Sequence, residues 1–133
     1  MGVKIRVMAP DRSIWDTEVD EVVLPGLNGQ IGVLPGHAPL ITSLEIGILR
    51  IKLGSSWEPI IVFGGFAVIK NDEVIALISG AEEIIRGEYD KAKQILKQTK
   101  DLLLNITDTK EKIEVSQDVK RAKARVEAYD FFT

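Results

Sequence analysis

The only histidine of the chain, His37, lies in a stretch rich in glycine and proline, GQIGVLPGHAPL (residues 29–40). An imidazole can serve as a general base near neutral pH, so His37 is the first candidate for catalysis. A general base needs a nucleophile and an orienting group beside it, and the spacing of the sequence indicates neither. We therefore expect His37 to help shape a rigid loop instead of catalysing a reaction.

Clustered carboxylates are the next candidates, as metal ligands. The residues concerned are Asp16, Glu18, Asp20, Glu21, Glu82 and Glu83. They have neither a second histidine nor the regular spacing of a calcium loop. The glycines of GLNGQIG (26–32) are flanked by strand-like residues, whereas a phosphate-binding glycine loop opens a helix. We expect solvated surface at these positions, with no metal and no cofactor.

A basic cluster near the end of the chain has two interpretations. It comprises Lys120, Arg121, Lys123 and Arg125. Arg121 and Arg125 are four residues apart and project from one face of a helix. That face is either solvated or pairs with acidic groups or phosphates of a partner, for which the planar guanidinium is well suited.

Composition limits the class of protein. The 133 residues are 45% hydrophobic and 28% charged, as in an ordinary globular domain, and include no cysteine. The alternation in MGVKIRVMAP favours a strand over a signal peptide, and no apolar run is long enough to cross a bilayer. Residues 1–85 carry a net charge of −5 and residues 86–133 a net charge of +2. This imbalance is too mild for a nucleic-acid-binding protein but would suit an acidic protein partner.

Hydrophobic periodicity divides the chain into two parts. Up to about residue 85, short β-branched runs alternate with turn residues, which predicts an antiparallel sandwich or barrel. KND (70–72) and LGSS (53–56) are predicted turns, and GGF (64–66) predicts a bulge or a close backbone approach.

From Glu88 onwards the apolar residues recur every three or four positions, which predicts two helices. The stripes are Tyr89, Ala92, Leu96, Leu103 and Ile106, and then Val115, Val119, Ala122, Val126 and Tyr129. NITDT (105–109) separates them, with Asp108 as the helix cap and Glu111 as its reciprocal partner. Alanine and threonine in the stripes predict an antiparallel hairpin held by modest packing.

The motifs in their order resemble the epsilon subunits of F-type ATP synthases along essentially the whole chain. GQIGVLPGHAPL is followed by IGILRI, GGFAVI and a terminal KRAKARVEA. WDTEV (15–19), Gln30 and KARVEA (123–128) are more similar to the chloroplast and cyanobacterial branch. The resemblance implies a β-sandwich of about ten strands (residues 1–86), a helical hairpin (87–133), and a non-catalytic subunit.

The resemblance also implies a place in the central stalk, peripheral to the thylakoid on its stromal or cytoplasmic side, or otherwise on the cytoplasmic face of a bacterial plasma membrane. The sandwich would contact the gamma subunit and the c-ring. The residues expected at these contacts are Gln30, Val33, Leu34, Pro35, His37, Ala38, Pro39 and Leu40.

The hairpin would be the regulatory part. Folded on the sandwich it permits turnover, and extended into the alpha/beta catalytic head it inhibits ATP hydrolysis through the face with Lys120, Arg121, Lys123 and Arg125. A weak ATP site is implied at Glu82, Asp90, Lys93, Arg121 and Arg125. Lys93 replaces an arginine of the family pattern and loses its bidentate fork, which predicts weak or no affinity for ATP.

The residues alone leave a second class of function open. The chain would then be a stand-alone β-sandwich that binds a ligand and carries a helical tail. Binding of a gamma-like helical partner with about 1:1 stoichiometry would distinguish the two functions.

Overall fold

A computed structural model of the chain describes residues 2–131. The strands are β1 (Val3–Ala9), β2 (Arg12–Val19), β3 (Glu21–Gly26), β4 (Gly29–Val33), β5 (Leu40–Leu53), β6 (Ser56–Lys70), β7 (Glu73–Ile78) and β8 (Ala81–Glu82). The helices are α1 (Tyr89–Asn105) and α2 (Thr109–Ala128), followed by a 3₁₀ turn at Tyr129–Phe131. The predicted β-sandwich followed by a helical hairpin is confirmed.

The strands form one sheet in the order β2–β1–β7–β6–β5–β3–β4, with β8 paired to β6. All its neighbours are antiparallel except β1 and β7, which run parallel. The sheet folds over so that β1 contacts β3 and β2 contacts β5. Val3, Ile5 and Val7 of β1 are fully buried between these layers, as their alternation predicts.

The stretches WEPIIVFG (57–64) and FAVIK (66–70) belong to one strand, β6. At their junction Gly64 and Gly65 have φ angles of +86° and +142°. A Cβ on Gly65 would lie 2.1 Å from the carbonyl oxygen of Leu77, so the predicted close approach is confirmed. The residues of β6 in the core are Ile60 and Val62 before this pair and Ala67 and Ile69 after it. The glycines therefore let β6 change which side of the strand faces the core. Because two predicted strands merge into β6, the structure has eight strands where about ten were expected.

Strands β2 and β4 are missing from the sequence prediction. RSIWDTEV of β2 is mostly exposed because it is the edge of the sheet, so its apolar alternation is weak. GQIGV of β4 lies within the glycine-rich stretch that the sequence marks as a loop. The two predicted turns are confirmed: Asn71, Asp72 and Gly54 have positive φ angles of 52°, 58° and 63°.

The helical hairpin has the weak seam that its sequence predicts. Ala92 of α1 and Ala122 of α2 are buried, whereas Val115, Val119 and Val126 are only half-buried. The Asp108 carboxylate caps α2 by accepting from the Lys110 amide at 3.0 Å. Among the described residues no return bond from Glu111 accompanies it. Within the same residues, both helices lack the length or the apolar content of a transmembrane segment.

Candidate functional site

The loop between β4 and β5 (residues 34–39) is the first candidate site, and hydrogen bonds within it fix its shape. The His37 amide donates to the carbonyl of Leu34 at 3.2 Å, which closes a turn with Pro35 and Gly36 at its centre. Gly36 has a φ angle of +87°, the left-handed conformation that a type II turn requires at this position. Nδ1 of His37 lies 2.6 Å from the Ala38 carbonyl oxygen, so the imidazole is bonded inside the loop.

Most residues predicted to contact a partner are accessible. Leu34 is 56% exposed and Leu40 is 39% exposed. Gln30, Pro35, Ala38 and Pro39 are also exposed, and His37 is half-buried. Val33 differs from the prediction: it is 1% exposed and lies in the main core. A side chain buried in the core cannot touch a partner. Val33 instead anchors the start of the loop to the core.

An exposed apolar surface adjoins this loop, and sequence reasoning missed it. Ile41, Phe66 and Leu77, which we call the open sheet face, are 74%, 46% and 39% exposed. Phe66 lies directly opposite Leu77 on β7 and opposite Ser43 on β5, so these side chains share one side of the sheet. Large apolar residues at solvent-facing strand positions are the signal that could have revealed this surface.

The hairpin is the second candidate site, and it docks on the sheet through α2. Ala124 and Ala128 are buried against Ile48 and Ile61, which face each other across β5 and β6. Phe63, Ile84 and Phe131 complete this contact. This contact could not be predicted from the sequence, because alanines spaced by four residues also occur on ordinary helix surfaces.

Docking divides the predicted basic face into two parts. Nε of Arg125 donates to Oε2 of Glu82 at 2.8 Å, and both side chains are about one-third exposed. The Arg121 guanidinium lies 5.0 Å from the centre of the Phe63 ring and also pairs with Asp118 at 3.2 Å. Lys120 and Lys123 are exposed on the same helix. The arginines therefore contact the protein itself, whereas the lysines face solvent.

Beyond α2, the 3₁₀ turn contacts the sheet through a stacked arginine. The Arg50 guanidinium lies 4.2 Å from the centre of the Phe131 ring and 5.1 Å from that of the Trp57 ring. We call these three residues the Arg50 stack. Burial lowers the pKa of Arg50 below its usual range, while the nearby Glu21 carboxylate raises it. Nε and one terminal nitrogen of Arg50 are buried without a hydrogen-bond partner among the described residues. The cation–π contacts with the two rings therefore offset part of the cost of burying this charge.

The residues predicted for an ATP site lie in different places. Glu82 and Arg125 line a cavity of about 330 Å³ between the sandwich and α1. Lys93 lines a separate groove with Lys97 and Lys100, and its Nζ lies 5.1 Å from the centre of the Tyr89 ring. Asp90 is exposed and lines neither space. Two of the five predicted residues are thus brought together.

The charges around that cavity do not favour a polyphosphate. Three carboxylates line it, from Glu82, Glu83 and Glu88, against the cations Lys91 and Arg125. Since Arg125 is already bonded to Glu82, a bound phosphate would have to displace this ion pair. Glu82 is therefore not the simply solvated carboxylate that the sequence suggested.

Two of the other acidic residues, Asp20 and Glu18, serve local structure. The Asp20 carboxylate accepts from the Gly54 amide at 2.7 Å, and Glu18 accepts from the Gly2 amide at 3.2 Å. Within residues 2–131, no group of three acidic or histidine side chains is arranged to hold a metal ion.

Comparison with known proteins gives consistent similarities. The family profile "ATP synthase, Delta/Epsilon chain, beta-sandwich domain" matches residues 2–84. The chain is 61% identical over 131 residues to the chloroplastic ATP synthase epsilon chain of Pylaiella littoralis, covering 98% of this chain and 99% of that protein. It is 47% identical over 133 residues to that of Phaeodactylum tricornutum, covering 100% of both. With Gracilaria tenuistipitata the identity is 44% over 128 residues, and the coverage is 96% of each.

Two solved structures share the fold. A chain of the Euglena gracilis mitochondrial ATP synthase superposes with a TM-score of 0.82 at 20% identity, covering 96% of this chain and 81% of that one. A chain of the Tetrahymena thermophila central stalk and c-ring superposes with a TM-score of 0.64 at 11% identity, covering 96% of each. At these identities the likeness shows the arrangement of strands and helices alone.

Proposed function

We infer the role of this chain from the premise that it belongs to the ATP synthase delta/epsilon chain family. It is a non-catalytic epsilon-type subunit, and its relatives associate it with the ATP synthase of chloroplasts. We propose that it contacts the gamma subunit and the c-ring in the central stalk, and that its hairpin inhibits ATP hydrolysis. It would then lie on the stromal side of the thylakoid, attached through the complex.

The proposed rotor contacts rest on the loop 34–39 and the open sheet face. Apolar side chains as exposed as Ile41 and Phe66 are costly to leave in water, and a contiguous group of them is typical of a protein interface. The loop beside them is fixed by its own hydrogen bonds, so it can transmit force with little flexing. Both features suit a subunit that is held between two partners.

The division of the basic face is the observation that carries the inhibitory role. In the docked state, Arg121 and Arg125 are engaged by Phe63 and Glu82, so they are withheld from acidic groups of the catalytic head. The contact that holds them is small and includes an ion pair at the surface, worth about 0.5–1 kcal/mol. Because the apolar contact around Phe131 also holds α2, its release would cost a few kcal/mol and would present both guanidinium groups to the catalytic subunits.

Substitutions at the two ends of one ion pair are expected to change inhibition in opposite directions. Glu82→Ala weakens docking but keeps Arg125, so it should inhibit at a concentration about threefold lower than the native chain. Arg125→Ala removes the charge that would meet the catalytic head, so it should inhibit about tenfold more weakly. The measurement is ATP hydrolysis by an ATP synthase depleted of epsilon, titrated with each variant.

Neighbouring residues provide matched controls for this pair. Glu83→Ala removes an adjacent exposed carboxylate that makes no ion pair within the described chain, so it should leave inhibition unchanged. Lys123→Ala removes a charge that pairs with Glu127 at 4.0 Å within α2 and not with the sandwich, so docking should be unchanged, and any weaker inhibition would report the contact with the catalytic head alone. If Glu82→Ala and Arg125→Ala both weaken inhibition, docking of α2 on the sandwich does not oppose inhibition. If the native chain does not bind the depleted enzyme, the rotor assignment is lost.

We expect ATP to bind weakly or not at all, for the reasons of charge and geometry given above. In Lys93→Arg the arginine could offer two parallel hydrogen bonds to a phosphate, but position 93 lies in a groove apart from Glu82 and Arg125, so any gain in affinity should stay below about threefold. Lys97→Arg, one helical turn further along the same groove, is the control and should give no gain. Isothermal titration with MgATP tests this. Tight binding by the native chain, or a larger gain in Lys93→Arg, would contradict the expectation.

A further inference from the structure

A hydrogen bond between parts of the chain that are distant in sequence ties the loop 34–39 to the turn between β6 and β7. The Gly36 amide donates to Oδ1 of Asp72 at 2.6 Å. Asp72 lies in the two-residue turn between β6 and β7, thirty-six residues away in sequence. Whereas the bond of the His37 ring stays within the loop, the bond to Asp72 connects the described loop to another part of the sheet.

The donor in this bond is a group that the turn itself leaves free. In the turn closed by Leu34 and His37, the intraturn hydrogen bond uses the His37 amide, and the Gly36 amide points away from it. A Cβ added to Gly36 would meet nothing within 4 Å, so glycine is required by the φ angle of +87° and not by lack of space. The Asp72 carboxylate therefore stabilises the one peptide orientation that this turn needs.

The acceptor is held firmly in place. Asn71 and Asp72 both adopt positive φ angles, of 52° and 58°, in the tight turn that pairs Lys70 with Glu73. The carbonyl oxygen of Asp72 also accepts from the Lys4 amide at 2.9 Å, which fastens the turn to β1. The carboxylate thus projects from a turn that three strands fix.

We propose that Asp72 is a positioning residue: in addition to the hydrogen bonds within the loop 34–39, it holds the Gly36 amide and so keeps the loop in one orientation against the sheet. The loop is mostly exposed, so packing contributes little to its shape and this bond contributes more. The functional part of the inference rests on the proposed contact between this loop and the rotor partners. With the bond in place, the loop and the β6–β7 turn meet those partners as one rigid unit.

Three variants separate the hydrogen bond from the strained backbone. Asp72→Ala removes the acceptor and also places alanine at a positive φ angle. Asn71→Ala has the same backbone cost next door but keeps the bond to Gly36, so it is the matched control. Asp72→Asn keeps an oxygen that can accept and a residue that tolerates this conformation, so it should behave almost like the native chain.

Nuclear magnetic resonance of the full chain measures the bond directly. The Gly36 amide proton should shift upfield in Asp72→Ala but not in Asn71→Ala. Its exchange with solvent should also be slower in the native chain and in Asn71→Ala than in Asp72→Ala, because the hydrogen bond to Asp72 protects this amide. An unchanged Gly36 resonance in Asp72→Ala would overturn the inference.

Binding to an ATP synthase depleted of epsilon tests the functional part. Asp72→Ala should bind about tenfold more weakly than the native chain, the effect of one hydrogen bond to a charged group. Asn71→Ala should bind normally even if it is equally destabilised. If the Gly36 resonance shifts but Asp72→Ala binds normally, Asp72 positions the loop and the rotor contact of the loop is refuted. If neither changes, the positioning role itself is refuted.

Discussion

A chain that ends at Gly87 is expected to bind an ATP synthase depleted of epsilon but to lose inhibition of ATP hydrolysis entirely. The main core consists wholly of residues from Val3 to Ile78 with partners from the sandwich, so the shortened chain keeps it. The loop 34–39 and the open sheet face are also kept. Both arginines of α2 are lost. Binding is measured by co-purification with the depleted enzyme, and inhibition by the rate of ATP hydrolysis.

The main difficulty of this truncation is the surface that it uncovers. Ile48, Ile61 and Phe63, on which α2 packs, become exposed and could promote aggregation. A second truncation after Asn105 keeps α1 and still removes Arg121 and Arg125, so it should behave in the same way. If either shortened chain inhibits, inhibition belongs to the sandwich. If a folded truncation, judged by its cooperative thermal unfolding, does not bind, the hairpin itself makes the rotor contact.

Replacing Phe131 with alanine should shift the hairpin from the docked towards the released state by a factor of about thirty. The ring stacks on Arg50 and packs beside Ala124 and Ala128, so its removal loses both apolar burial and the cation–π contact. Together these are worth about 2 kcal/mol, which corresponds to that factor. Hydrogen exchange of the α2 amides should accelerate accordingly. The concentration needed to inhibit ATP hydrolysis should fall.

Two further variants separate the contributions to this effect. Phe131→Leu keeps an apolar side chain but removes the aromatic ring, so it should retain part of the docking. Arg50→Met removes the guanidinium above the ring but keeps an unbranched apolar side chain that can still pack beside Phe131. Its loss of docking should therefore be smaller than that of Phe131→Ala. If Phe131→Ala leaves the exchange of α2 unchanged, the Arg50 stack does not hold the hairpin.

The elements of the fold could be predicted where one face of an element is buried and the other is wet. Val3, Ile5 and Val7 alternate because β1 has the core on one side, and the stripe of α1 recurs because one side of it packs on α2. Strand β2 could not be predicted in the same way, since an edge strand with few buried residues carries little periodicity.

The candidate sites were predictable in part. Pro35 followed by Gly36 predicts the turn around Gly36, because few residue types adopt the backbone angles of its two central positions. Its bond to Asp72 could not be inferred, since nothing local links two residues so far apart in sequence. For the same reason the sequence places Arg121 and Arg125 on one face of α2 but cannot tell whether that face meets solvent, the sandwich or a partner.

The parallel pairing of β1 with β7 determines the order in which the chain can fold during synthesis. Lys4 to Met8 of β1 pair with Glu73 to Leu77 of β7, so β1 has no partner on that side until more than half of the chain has emerged from the ribosome. Contacts between such distant segments slow folding, whereas the hairpin joins neighbouring helices and forms quickly. Until β7 arrives, the edge of β1 that will pair with it is open to chaperones and to other nascent chains. Docking of α2 comes late as well, because α2 follows all the strands in sequence, although its docking surface on β5 and β6 can form before β7 pairs with β1.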